Sequence, residues 1–61
     1  MVTVNDIIRL FDDIIYVDIV GAFDEYVYAG FSSDISDCIG NLEVIGVYRK
    51  FKTKFIIIVS E

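Results

Sequence analysis

Apolar positions recur along this chain with two different periods. Val4, Ile7, Ile8 and Phe11 are spaced by three and four residues, and Leu10 widens their stripe, while Asn5, Arg9 and Asp12 fall on the other side. That spacing predicts one amphipathic helix over about residues 4–12. Thr3 stands where an N-cap is needed, and Asp6, three residues on, completes a capping box with Asp in place of the preferred Glu. Two further acids, Asp12 and Asp13, oppose the helix dipole and mark the exit. A helix this short is unstable alone and must dock on a sheet.

From Ile14 onward the period drops to two. Ile14–Val20 predicts a first strand, with Ile15, Val17 and Ile19 on one side and Ile14, Tyr16, Asp18 and Val20 on the other. Gly21-Ala22-Phe23-Asp24 is a turn in which Gly21 suits positive φ. Glu25–Ala29 is the hairpin partner of the first strand. Matching its small aliphatics Val27 and Ala29 to the aliphatic side of the first strand groups Tyr16, Tyr26 and Tyr28 on the face away from the helix. Residues 30–41 form a connection rich in Ser and Asp, with a short helical turn expected over about residues 35–39 and ended by Gly40. Leu42–Arg49 and Phe55–Ser60 are the third and fourth strands, joined by Lys50-Phe51-Lys52-Thr53.

The fourth strand carries the main constraint on the fold. Phe55-Ile56-Ile57-Ile58-Val59 is apolar at every position, so both of its faces need cover. A run of that kind on a sheet edge invites aggregation, which makes it a central strand. The expected architecture is α+β, a single domain over residues 1–61. It is a four-stranded, mainly antiparallel sheet with the N-terminal helix on one face, in the order α-β-β-(short α)-β-β. Ile7, Leu10, Phe11, Val17, Ile19, Ile57 and Val59 are the expected core.

Composition turns this fold into a problem of assembly. A domain of 61 residues buries only ~60% of its unfolded surface and generally needs a disulfide, a metal or a partner. Cys38 is the only cysteine and there is no histidine, so an internal disulfide and a structural zinc site are both excluded. The chain is nevertheless 56% hydrophobic. One helix covers one face of the sheet, and Ile56 and Ile58 point to the other. Tyr16, Tyr26, Tyr28, Ile56 and Ile58 are therefore the candidate interface, with Tyr48 a further member of the set, and a homodimer is the expected assembly. The competing reading of the tyrosines is ordinary cross-strand packing on a half-wet face.

Charge is segregated. Residues 1–48 hold nine acids against the single base Arg9, while residues 49–54 hold Arg49, Lys50, Lys52 and Lys54 around Phe51. Arg49, Lys50, Phe51, Lys52 and Lys54 could contact an acidic protein surface, or phosphates with Phe51 stacking on a base. They could equally be gatekeepers that keep the apolar fourth strand soluble. The net charge of −5 disfavours nucleic acid as the general partner.

No catalytic constellation is visible. The usual neutral-pH base is missing with histidine, and no phosphate-binding glycine loop of the GxxxxGK type occurs. Cys38, among apolar neighbours, is expected to be a buried structural thiol. Asp34 and Asp37, with Ser32, Ser33 and Ser36, offer oxygen ligands, but they lack the regular ladder and bidentate Glu of a calcium loop, and turn capping accounts for them. No cofactor is expected. Neither a membrane-length apolar run nor the basic and apolar regions of a signal peptide occurs, which points to a cytoplasmic protein without membrane contact.

Read together, the Thr-Val-x-Asp-Ile-Ile-x-Leu-Phe-Asp-Asp start, Tyr28-Ala29-Gly30, the Asp34-Ile35 turn, Glu43-Val44-Ile45-Gly46-Val47-Tyr48 and the closing Phe-Ile-Ile-Ile-Val resemble small uncharacterised proteins encoded by Firmicutes phages and prophages. The resemblance implies a bacterial host cytoplasm and carries no catalytic residues. The expected function is a small non-enzymatic protein–protein interaction module, self-associating. The alternative is a nucleic-acid-associated accessory protein using the basic hairpin 49–54.

Overall fold

The computed structural model describes residues 1–52 and 54–60. Helix α1 spans Val4–Ile8, and its N-terminus is closed as the capping box requires. The Thr3 N–H donates to Asp6 Oδ2 at 2.9 Å, and the Asp6 N–H donates to Thr3 Oγ1 at 3.3 Å. The chain then leaves the α geometry four residues before the expected end at residue 12. Leu10 and Phe11 donate to Ile7 and Ile8, three residues back, in tightened turns. At 3.6 residues per turn Leu10 stands about 100° from the centre of the 4-7-8-11 stripe, on its flank. It is 76% exposed and not part of the core, whereas Phe11 stays against the sheet.

Four strands follow: β1 (Tyr16–Val20), β2 (Tyr26–Phe31), β3 (Val44–Phe51) and β4 (Lys54–Val59). Between β2 and β3 the chain makes a 3-10 turn at Ser32–Asp34 and the short helix α2 at Asp37–Gly40, two residues later than expected. The spatial order is β2-β1-β4-β3. Both hairpins are antiparallel, and the central pair β1 and β4 runs parallel. β4 is thus an inner strand, as its continuous apolar run demands. Thr53, expected in the loop between β3 and β4, lies outside the described residues.

The core sits on one face. Val4, Val17, Ile19, Ile57 and Val59 have no exposed surface, and Ile15 closes the set. Ile7, Ile8 and Phe11 from the N-terminal segment, with Ile35, Ile39 and Leu42 from the connection, pack against this same cluster. The ring centroids of Phe11 and Phe55 are 4.6 Å apart at an interplanar angle of 48°. At Gly40 the two short helices approach so closely that a Cβ there would meet the Asn5 side-chain amide, which is what a glycine permits. The N-terminal segment also pairs with the start of β3. Val44 N–H donates to Val2 O at 2.8 Å, and Val4 N–H donates to Leu42 O at 3.1 Å.

The first turn differs from expectation in one residue. Gly21 does not adopt positive φ; Asp24 does, at 66°. Asp is among the few side chains that tolerate this conformation.

Candidate functional site

Strand register determines which side chains share the sheet face opposite the helices. Partners across a ladder point to the same side, and the face is laid out in three rows crossing β2, β1, β4 and β3. The first row is Phe31, Tyr16, Lys54 and Phe51; the second is Ala29, Asp18, Ile56 and Tyr48; the third is Tyr26, Val20, Ile58 and Gly46. Every residue that packs on the core cluster from α1, α2 and the connection lies on the other side. Among the described residues this face has no covering layer. Tyr26, Phe31, Tyr48 and Phe51 are each more than half exposed along its two outer strands, while Tyr16, Val20, Ile56 and Ile58 are half-buried in the middle.

Of the expected interface residues, Tyr16, Tyr26, Ile56 and Ile58 come together here, joined by Tyr48. Tyr28 does not. The register slips between Ile19 and Val20, which pair with Tyr28 and Tyr26, and Val27 is the extra residue of a bulge. Regular pairing from Tyr16–Phe31 to Ile19–Tyr28 sets Tyr28 on the core side and Ala29, expected there, on the outer face, and the bulge at Val27 returns Tyr26 to the outer face. Tyr28 lies across Gly30 and donates from its hydroxyl to Phe31 O at 2.8 Å. A Cβ at Gly30 would sit 2.8 Å from that hydroxyl. Partial burial pushes the Tyr28 phenol above its ordinary value, and the nearby Asp34 carboxylate adds to the shift. Strict alternation could not have found the bulge; it pairs Tyr26 with Tyr28 on one face, and the extra residue separates them.

The middle of the face is not wholly apolar. Asp18 is the only buried charged residue among those described, at 7% exposure. Its Oδ2 lies 3.5 Å from Lys54 Nζ, and the same ammonium stands 5.1 Å from the centre of the Tyr16 ring. Tyr16 in turn meets Phe31 edge-on at 5.6 Å. Lys54 therefore begins β4 and turns across the sheet face. It does not belong to an outward basic loop, as the clustering of positive residues had suggested. Arg49, Lys50 and Lys52 remain exposed at the β3 end, with Arg49 Nε donating to Phe51 O at 3.4 Å. Among the described residues that leaves three exposed cations for the hairpin reading in place of four.

The remaining sequence candidates are dispersed. Cys38 is exposed on α2 and is not the buried thiol expected. Asp34 and Asp37 lie on separate turns, and no group of three or more acidic or thiol side chains among the described residues is placed to hold a metal ion. No helix among the described residues is long and apolar enough to cross a membrane. No family model matches the chain, and no curated protein or solved structure matches it.

Proposed function

We propose that this protein is a small non-enzymatic interaction module that self-associates through the sheet face carrying Tyr16, Tyr26, Tyr48, Ile56 and Ile58. The observation that carries this reading is the one-sided cover of the sheet: both helical segments pack on the Ile19–Ile57 side, and the opposite side keeps aromatic and aliphatic groups around the Asp18–Lys54 pair. Four strands at a spacing of ~4.8 Å and three rows along them span about 19 Å by 16 Å, on the order of 300 Å² in projection. A patch of that size falls within the ~300–600 Å² of the largest patch on a typical monomer, and such patches are often functional. It is small against the ~800 Å² per partner of a standard complex, which argues for a dimer of micromolar strength rather than a permanent one. A two-fold dimer uses the same patch on both copies and leaves none exposed. The resemblance noted above suggests a phage or prophage setting and a bacterial cytoplasm.

Sedimentation equilibrium across the micromolar range tests the reading. The expected result is a shift from 6.9 kDa toward twice that mass with rising concentration, abolished by Tyr48→Glu. Tyr48 is exposed on an edge strand, so the added charge strikes the face and spares the core. A wild type that remains monomeric throughout would refute the reading.

A further inference from the structure

The outer face contains one feature that an interface of apolar groups does not need, the Asp18–Lys54 pair. Resting on the self-association proposed above, we infer that this pair fixes the orientation of the two copies, each Asp18 facing the second copy's Lys54 in a four-charge cluster at the two-fold axis.

Three observations converge on this role. The pair bridges the two central strands of the sheet, β1 and β4. Neither group is saturated. Among the described residues Asp18 receives a single contact at 3.5 Å, well beyond the ~2.7–2.9 Å of a direct charge-assisted bond, and a carboxylate has room for about four. Lys54 has three donors and, among the described residues, one carboxylate partner and the Tyr16 ring beside it. Finally, the unused capacity lies on the open side. The carboxylate keeps 9% and the Lys54 side chain 30% of its surface on a face otherwise lined by Ile56, Ile58, Val20 and aromatic rings.

The electrostatics then choose between dimers. Two charged ends 3.5 Å apart are brought together with their copies by any two-fold axis through that point. If the axis crosses the line joining them, each carboxylate meets the second copy's ammonium and all four groups gain a partner. If the axis runs along that line, carboxylate faces carboxylate and ammonium faces ammonium in a desolvated interface. Apolar groups alone would tolerate both arrangements. The charges reject the second, which is the use of buried ionic groups best attested in other assemblies.

The test fixes the direction of the axis by cross-linking. An axis that crosses the Asp18–Lys54 line runs from the pair toward Tyr48 on β3, whereas an axis along the line runs toward Tyr26 on β2. Tyr48→Cys and Tyr26→Cys are each made in a Cys38→Ser background and treated with a short bismaleimide at a concentration where sedimentation shows a dimer. Tyr48→Cys should cross-link to its own copy at several times the yield of Tyr26→Cys. Equal yields, a higher yield from Tyr26→Cys, or no cross-link in a sedimenting dimer would overturn the inference while leaving self-association intact. A monomeric wild type would remove both.

Discussion

Ile56 and Ile57 are adjacent, identical in chemistry and committed to opposite faces of β4, so truncating each separates folding from assembly. Ile57 has no exposed surface and is flanked in register by Ile19 on β1 and Val47 on β3. Ile57→Ala removes three carbons from the centre of the core, and substitutions of this kind cost about 2–5 kcal/mol in transfer and cavity terms. At ~0.05–0.15 kcal/mol per residue a chain of this length has only about 3–9 kcal/mol in total. Ile57→Ala should therefore be largely unfolded at 37 °C, and Ile57→Val, at about 0.5–1.5 kcal/mol, should remain folded with a lowered midpoint. Ile56 is half-buried on the uncovered face. Ile56→Ala should cost the monomer about 1 kcal/mol or less and should weaken self-association. Urea titrations at several protein concentrations distinguish the two. The loss from Ile57→Val should not depend on concentration, while the loss from Ile56→Ala should be small when dilute and grow as the wild type dimerises. Equal, concentration-independent losses at the two positions would show that both faces are covered within one chain and would refute the one-sided core.

Three other outcomes follow from local geometry. The Asp6 carboxyl is held below its ordinary value chiefly by the hydrogen bond from the Thr3 backbone N–H. A depressed folded pKa stabilises above the unfolded value near 3.9 and is lost as pH falls through the folded one, so the gap in melting temperature between wild type and Asp6→Ala should narrow between about pH 5 and pH 2. A gap that widens on acidification would contradict the capping-box assignment. Asp24→Gly should raise stability by up to about 1 kcal/mol, because relief of the ~1–2 kcal/mol left-handed penalty exceeds the ~0.4–1 kcal/mol of added chain entropy; a lower melting temperature would count against the φ of 66°. Tyr28→Phe removes one hydrogen bond to Phe31 O and should cost about 0.5–1.5 kcal/mol with no effect on sedimentation. Loss of the dimer in that variant would place Tyr28 on the outer face after all.

What was legible in the sequence tracks the range over which each signal acts. The capping box of Thr3 and Asp6 is a contact between residues three apart, and it formed as written. The inner position of β4 followed from a run that no edge can carry. The alternation in β1 correctly divided Val17 and Ile19 from Tyr16 and Asp18, because a strand without a bulge preserves parity from end to end. Leu10 failed for a different reason. Even at 3.6 residues per turn position 10 lies about 100° from the centre of the 4-7-8-11 stripe, and the core takes Ile7, Ile8 and Phe11 and leaves that flank exposed.

The errors on the candidate face share one cause, which is that parity survives only while the register does. The register that sets Tyr28 opposite Ile19 puts it on the core side and Ala29 outside, and Val27, one extra residue on β2, leaves Tyr26 outside. No composition or period within residues 25–31 marks that slip, which appears only in the pairing with β1. Lys54 misled in the same way. As the fourth cation in six residues it looked like part of a loop cluster, yet the parallel pairing of β4 with β1 sets it beside Tyr16 and one diagonal step from Asp18. Nothing within either segment links residues 18 and 54, and only the parallel crossover brings them together. The same crossover explains why the face has a charged centre at all. A β-hairpin brings together residues close in sequence, where opposite charges can be found by local inspection. A parallel central pair joins two segments separated by the whole connection through β2, α2 and β3. Asp18 alone on an apolar strand would be a buried, unpaired carboxylate, and Lys54 alone would be a stray cation at a strand start. Each becomes tolerable only through the other, so the pairing of the two central strands and the ion pair on their open face depend on one another.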